Sequence, residues 1–134
     1  MMSPGLIFQL IERFPEFFPA EHTTAGRRAR AIECGEGWFN LINHLLGTLQ
    51  WHVRTSPLGR MRQPVLVGID RERGLLRIRF RRPSQHVRLL SAFTEDLAST
   101  YCEMCGMPGQ EFFENASDMR IRCSTHTRWH CLTQ

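Results

Sequence analysis

The sequence predicts an α+β fold, with helices packed on a β-hairpin and a metal-binding C-terminal segment. Three observations carry that reading. Between Glu36 and Val53 the residues Trp38, Leu41, Ile42, Leu45, Leu46, Leu49 and Val53 recur at three and four, the mark of a helix buried along one face. From Leu75 to Arg81 apolar and basic residues alternate, the mark of a strand with one wet face. Near the C-terminus Cys102, Cys105, Cys123 and His126 form the pattern C-x2-C-x17-C-x2-H. A two-residue gap lets both side chains of a tight turn converge on one tetrahedral ion.

A chain of 134 residues has the size of one ordinary domain. It is expected to comprise an N-terminal helical or irregular segment (1–33), an α-β-β-α body (34–101) and a zinc-binding segment (102–134). Leu6 to Phe14 reads as a short amphipathic helix ended by Pro15, followed by the apolar turn Glu16-Phe17-Phe18-Pro19. Ala20 to Glu33, with Gly26 and the cluster Arg27, Arg28, Arg30, reads as a loop or a poorly packed helix. The long helix follows Cys34-Gly35 and gives way to the loop Ser56-Pro57-Leu58-Gly59.

Two strands are expected next, Val65–Asp70 and Leu75–Arg81, joined through Gly74. Leu76, Ile78 and Phe80 should face the core, and Arg77, Arg79 and Arg81 the solvent. Ser84, after Pro83, is placed to cap a second helix whose apolar positions are Leu90, Phe93, Leu97 and Tyr101. That helix runs directly into Cys102.

Composition excludes some classes and suggests others. A hydrophobic fraction of 42% with 22% charged residues is globular rather than disordered. The longest apolar runs, such as Leu6–Phe8 and Val65–Val67, are far too short to cross a bilayer. No basic segment precedes a sustained apolar stretch, so a reducing cytoplasm is the expected compartment. Five cysteines, an odd number with two in C-x2-C, favour metal over cross-links there. All 17 basic residues are arginine and the net charge is +4. Guanidinium groups bind phosphates and carboxylates bidentately and stack on flat rings, which suits the surface to anionic partners.

In Cys102-Glu103-Met104-Cys105-Gly106 two thiolates flank a tight turn, and the glycine permits the backbone to aim amide hydrogens at sulfur. A strand ending at Arg120-Ile121-Arg122 should lead into Cys123-Ser124-Thr125-His126, which can open a short helix. Knuckle, hairpin and helix in that order make a treble clef, with a zinc ribbon as the alternative. His130 and Cys131 compete with His126 as the fourth ligand, one helical turn away; His126 is preferred because it repeats the two-residue gap.

Three thiolates and an imidazole make a closed site, so the zinc is expected to be structural rather than catalytic. Cys34 reads as a small buried hydrophobe. Glu36, His44 and His52 read as residues of the polar helix face. No nucleophile triad, phosphate loop or metalloprotease motif is present.

The motifs Cys34-Gly35-Glu36-Gly37-Trp38, Gly74-Leu75-Leu76-Arg77, Cys102-x2-Cys105-Gly106-Met107-Pro108-Gly109 and Cys123-x2-His126 together resemble a family of small uncharacterised bacterial and phage-encoded zinc-binding proteins. Similar members read CGxGW, a strand with GGLRF, CxxCGxPG and a final Cys or Cys/His pair, so the likeness spans residues 30 to 126. It implies an α+β body with a bound zinc and transfers no activity. The chain departs from the pattern at Leu75, where a second glycine is usual, and lacks the tryptophan that often precedes the last cysteine.

Two functions follow. From Arg54 to Arg88 ten arginines face only Asp70 and Glu72, a net charge of +8. A row of arginines every second residue of a strand repeats at ~6.6 Å, near the spacing of successive phosphates. A non-enzymatic domain binding nucleic acid, or else an acidic protein, through Arg77, Arg79, Arg81 and Arg82 is therefore the first expectation. Alternating charge on a strand also serves solubility and edge protection, and no aromatic residue interleaves with that row. The alternative is a protein-binding adaptor or inhibitor using the apolar N-terminal segment with Phe8, Phe14, Phe17 and Phe18.

Overall fold

The computed structural model describes residues 1–18 and 32–127, apart from the Leu58 side chain. In chain order the elements are α1 (Pro4–Arg13), β1 (Ile32–Glu33), α2 (Phe39–Thr55), β2 (Leu66–Glu72), β3 (Leu75–Phe80), α3 (Gln85–Ala98), β4 (Gln110–Asn115) and β5 (Asp118–Arg122), with short 3-10 turns at Pro15–Phe17, Glu36–Trp38 and Pro57–Gly59. They form the expected α+β arrangement, with one sheet ordered β1-β2-β3 and a second made of β4 and β5.

The β2–β3 hairpin follows the alternation. Ile69 pairs with Ile78 and Asp70 with Arg77, so Leu66, Ile69, Leu76, Ile78 and Phe80 are buried together. The connection is a two-residue turn in which both Arg73 (φ 54°) and Gly74 (φ 82°) are left-handed, the geometry that matches strand twist. A register shift between Leu66 and Gly68 marks a bulge, and Val67 within it is exposed. Of the segment read as a loop or poor helix, residues 20–31 lie outside the described residues. Ile32–Glu33 corrects the rest, because it is a strand that pairs in parallel with Ile69 and Asp70. Two residues are too few to carry a period.

The helices pack on this sheet. Ser3 caps α1 with its hydroxyl accepting from the Leu6 N–H, Pro4 occupies the first turn, and Ile7, Leu10 and Ile11 are buried. In α2 the predicted stripe is the buried one, with Ile42, Leu45, Leu46 and Leu49 in the core. Ser84 caps α3 as expected, accepting from the Val87 N–H.

The buried face of α3 corrects the expectation. Val87, Ser91, Thr94 and Ala98 turn inward, while Leu89 and Phe93 are each 62% exposed. Small residues on the inner face let α3 lie close to α2 and β3. Closeness has a polar counterpart: the Glu95 carboxylate accepts from the Ile78 N–H at 2.8 Å, which satisfies a donor on the outer edge of the sheet.

The N-terminal aromatic residues are largely core. Phe17 and Phe18 are buried, Phe14 packs edge-on against Phe17, and Phe8 is exposed. Their bulk therefore serves the body. No helix among the described residues is long and apolar enough to cross a membrane.

Candidate metal centre

The predicted quartet converges. The ligand atoms of Cys102, Cys105, Cys123 and His126 all lie within 4.8 Å of one another. Cys102 Sγ is 3.5 Å and Cys123 Sγ 3.0 Å from His126 Nδ1, and Cys105 Sγ is 3.6 Å from Cys123 Sγ. Such a cluster can hold a metal ion. Residues 124–127 are helical and carry His126, whereas His130 and Cys131, the rival ligands, lie outside the described residues.

Local backbone chemistry builds the first pair. Gly106 is left-handed (φ 80°) and donates to the Cys102 carbonyl at 2.8 Å, closing the tight turn. The Cys102 N–H donates to the Met107 carbonyl at 2.7 Å, and an isolated bridge pairs Tyr101 with Pro108. The second pair arrives on β5, which pairs with β4 through Gln110–Arg122 and Glu111–Ile121. A Glu103 N–H bond to the Ile121 carbonyl at 3.1 Å fastens the turn to the strand.

The thiols are not equivalent. Burial opposes ionisation of Cys123, but hydrogen bonds from the His126 ring, the His126 N–H and the neighbouring sulfurs outweigh it and bring the thiol down to about 6. Cys105 moves up instead, through desolvation and the other two sulfurs, against a bond from the Met107 N–H. Cys34 takes no part: it is buried, and desolvation together with the Glu103 charge pushes it up to about 12.

Sequence reasoning missed the residue that binds this centre to the body. Glu103, between the first two cysteines, is only 2% exposed. Its carboxylate accepts from the Gly35 N–H at 3.1 Å, from Arg71 Nη1 at 3.0 and 3.1 Å, and from Arg122 Nη1 at 3.4 Å. Its carbonyl accepts from the Gly37 N–H at 2.7 Å. A Cβ at Gly35 would collide with the Glu103 backbone, and one at Gly37 with the Cys102 carbonyl and the Gly106 nitrogen. Trp38, fully buried, donates its indole N–H to the Ala98 and Tyr101 carbonyls at 3.1 and 3.0 Å. The run Cys34-Gly-Glu-Gly-Trp38 is thus a socket for the cysteine turn. Its two glycines, each next to a residue with a structural task, were the available signal.

The arginine row is placed as expected but is not bare. Arg79 binds Asp70 at 2.7 Å and Glu72 at 3.1 Å, and Arg77 lies 3.8 Å from Glu72. Arg81 and Arg82 stand beyond the end of β3, both exposed. Among the described residues Glu36, His44 and His52 form no cluster able to hold a metal. Glu36 instead accepts from the Ser3 N–H at 3.1 Å, and the His52 ring packs on His86. No protein-family model, curated protein or solved structure matches this chain.

Proposed function

We propose that this is a non-enzymatic domain, stabilised by a structural zinc ion in a treble-clef-like segment, that binds nucleic acid through an arginine-rich surface. The observation that carries the zinc assignment is the convergence of three cysteine sulfurs and one imidazole nitrogen within 4.8 Å of one another. Zinc–sulfur bonds of about 2.3 Å and zinc–nitrogen bonds of about 2.0 Å place two tetrahedral sulfurs about 3.8 Å apart and a sulfur and a nitrogen about 3.5 Å apart. The 3.5 Å Cys102–His126 and 3.6 Å Cys105–Cys123 edges lie near those figures, and the 3.0 Å Cys123–His126 edge would open by about 0.5 Å around the ion. Three thiolates with one imidazole are a zinc donor set and fill a tetrahedron, leaving no position for a reacting water.

Zinc in this site would hold the cysteine turn, the β4–β5 hairpin and the helical residues 124–127 in one arrangement. The nucleic-acid reading rests on charge: ten arginines against two carboxylates between Arg54 and Arg88. The adaptor reading loses its motive, since Phe17 and Phe18 are core residues.

Native mass spectrometry should find one zinc per chain, and a metal-free protein with a Cys102–Cys105 disulfide would refute the assignment. Titration with duplex DNA, single-stranded DNA and RNA should show binding that weakens steeply with salt. Absence of binding at low salt would refute the partner.

A further inference from the structure

The β2–β3 face is the obvious place for an anion, yet its arginines are already engaged by Asp70 and Glu72. A different concentration of positive charge lies where the loop after α2 meets the turn from β3 into α3. A groove of about 580 Å³ is lined there by Arg60, Arg62, Arg81, Arg82 and His86, and by no acidic residue among the described residues. Among the described residues Arg60, Arg62 and Arg82 form no ion pair, and Arg82 holds a left-handed backbone (φ 44°) beside the groove. Guanidinium groups gathered without carboxylates repel one another until an anion is bound.

Flat rings continue from that charge. His86 lines the groove and packs against His52 with centroids 4.7 Å apart, and His52 packs against Trp51 at 5.2 Å. Trp51, at the end of this ladder, is 62% exposed, so beyond its edge contact with His52 most of a large apolar ring is open on the helix surface. A phosphate-binding groove adjoining exposed rings is the combination that holds single strands, with the backbone over the cations and bases stacked on the rings. An acidic peptide would use the arginines and leave Trp51 idle.

Resting on the nucleic-acid reading above, we infer that the partner is single-stranded nucleic acid, bound in this groove and not on the hairpin face. Arg60, Arg62 and Arg82 contact phosphates, while Trp51 and His86 stack on bases.

The test measures anisotropy of labelled oligothymidylate and oligouridylate of about 12 nucleotides at about 50 and about 200 mM salt. Zinc-loaded wild type is compared with Arg60→Gln/Arg62→Gln/Arg82→Gln, Arg77→Gln/Arg79→Gln and Trp51→Ala, all at exposed or half-buried positions, with metal content and circular dichroism as checks on folding. The groove triple should bind at least tenfold more weakly. Its salt slope should fall by about 2, because each phosphate that a cation neutralises on a single strand adds about 0.7 to the slope. The hairpin double should stay within about twofold of wild type. Trp51→Ala should weaken binding roughly tenfold at an unchanged slope, as removal of stacking without removal of charge requires.

If wild type binds and the groove triple binds equally well, the groove assignment is overturned while the nucleic-acid reading stands. If wild type binds neither oligonucleotide nor duplex, the underlying reading fails. Oligoglutamate competing as well as oligothymidylate would overturn the choice of ligand.

Discussion

The body and the metal segment are held together by different means. In the body, Leu10, Phe17, Trp38, Ile42, Leu46, Leu49 and Ile69 are each fully buried, and packing supplies the stability. In the metal segment β4 is exposed at almost every position, and among the β4 and β5 side chains only Ile121 is fully buried. That hairpin has too little apolar burial to stand alone. The bonds around Glu103, and on the proposed zinc reading ligation by the Cys/His cluster, take the place of a core. If the cluster is loaded as proposed, one chain divides its stability between buried area and coordination, and each part should fail under a different insult.

Removing the metal is the sharpest way to separate them. Structural zinc contributes about 10 kcal/mol or more of apparent binding energy in small modules. A chelator, or Cys105→Ser, should therefore abolish stoichiometric metal and leave amides after Tyr101 exchanging freely, while α2 and β3 keep their protection. Loss of protection in both regions at once would break the comparison and make them one cooperative unit.

The socket comes next. Gly37→Ala drives a methyl group into the Cys102 carbonyl and the Gly106 nitrogen and should cost about 3 kcal/mol. Weaker metal retention should accompany it, read by competition with a chromophoric chelator. Retention equal to wild type would mean that the socket does not support the cysteine turn.

Glu103→Gln keeps the shape and removes the charge. Arg122, whose side chain is 13% exposed, then loses its ionic partner. A loss of about 2 kcal/mol is expected in urea unfolding. Ile42→Val in the body should cost about 1 kcal/mol with no effect on metal affinity, the control that ties each insult to its region.

The smallest effect sharpens the body alone. Arg73 occupies a left-handed turn position that asparagine adopts more readily, so Arg73→Asn should stabilise by about 0.5 kcal/mol and raise the melting temperature. Destabilisation would assign the Arg73 side chain a task of its own.

What could be read from the sequence follows the same division. The α2 stripe, the β2–β3 register and the metal quartet were legible because each is a local period or spacing. The inward face of α3 was not, because Ser91, Thr94 and Ala98 carry little hydrophobic signal while Leu89 and Phe93, which carry much, point outward. Glu103 escaped because its partners Gly35, Arg71 and Arg122 are distant in sequence and meet only in three dimensions. The groove escaped for the same reason: Arg60 and Arg62 precede the hairpin, whereas Arg82 and His86 follow it.

The socket also imposes a timetable. Gly35 and Glu103 are separated by 68 positions, and closing a loop of that length costs roughly 4 kcal/mol of chain entropy on the logarithmic scaling. During synthesis, α2, β2, β3 and α3 all emerge from the ribosome ahead of the cysteine turn that fills the socket. Body assembly can therefore precede docking, and on the proposed zinc reading docking in turn awaits the cation. In a cell short of the ion, the protein would then accumulate with its apolar core finished and the segment 102–127 open, a form that proteases can trim without dismantling the rest.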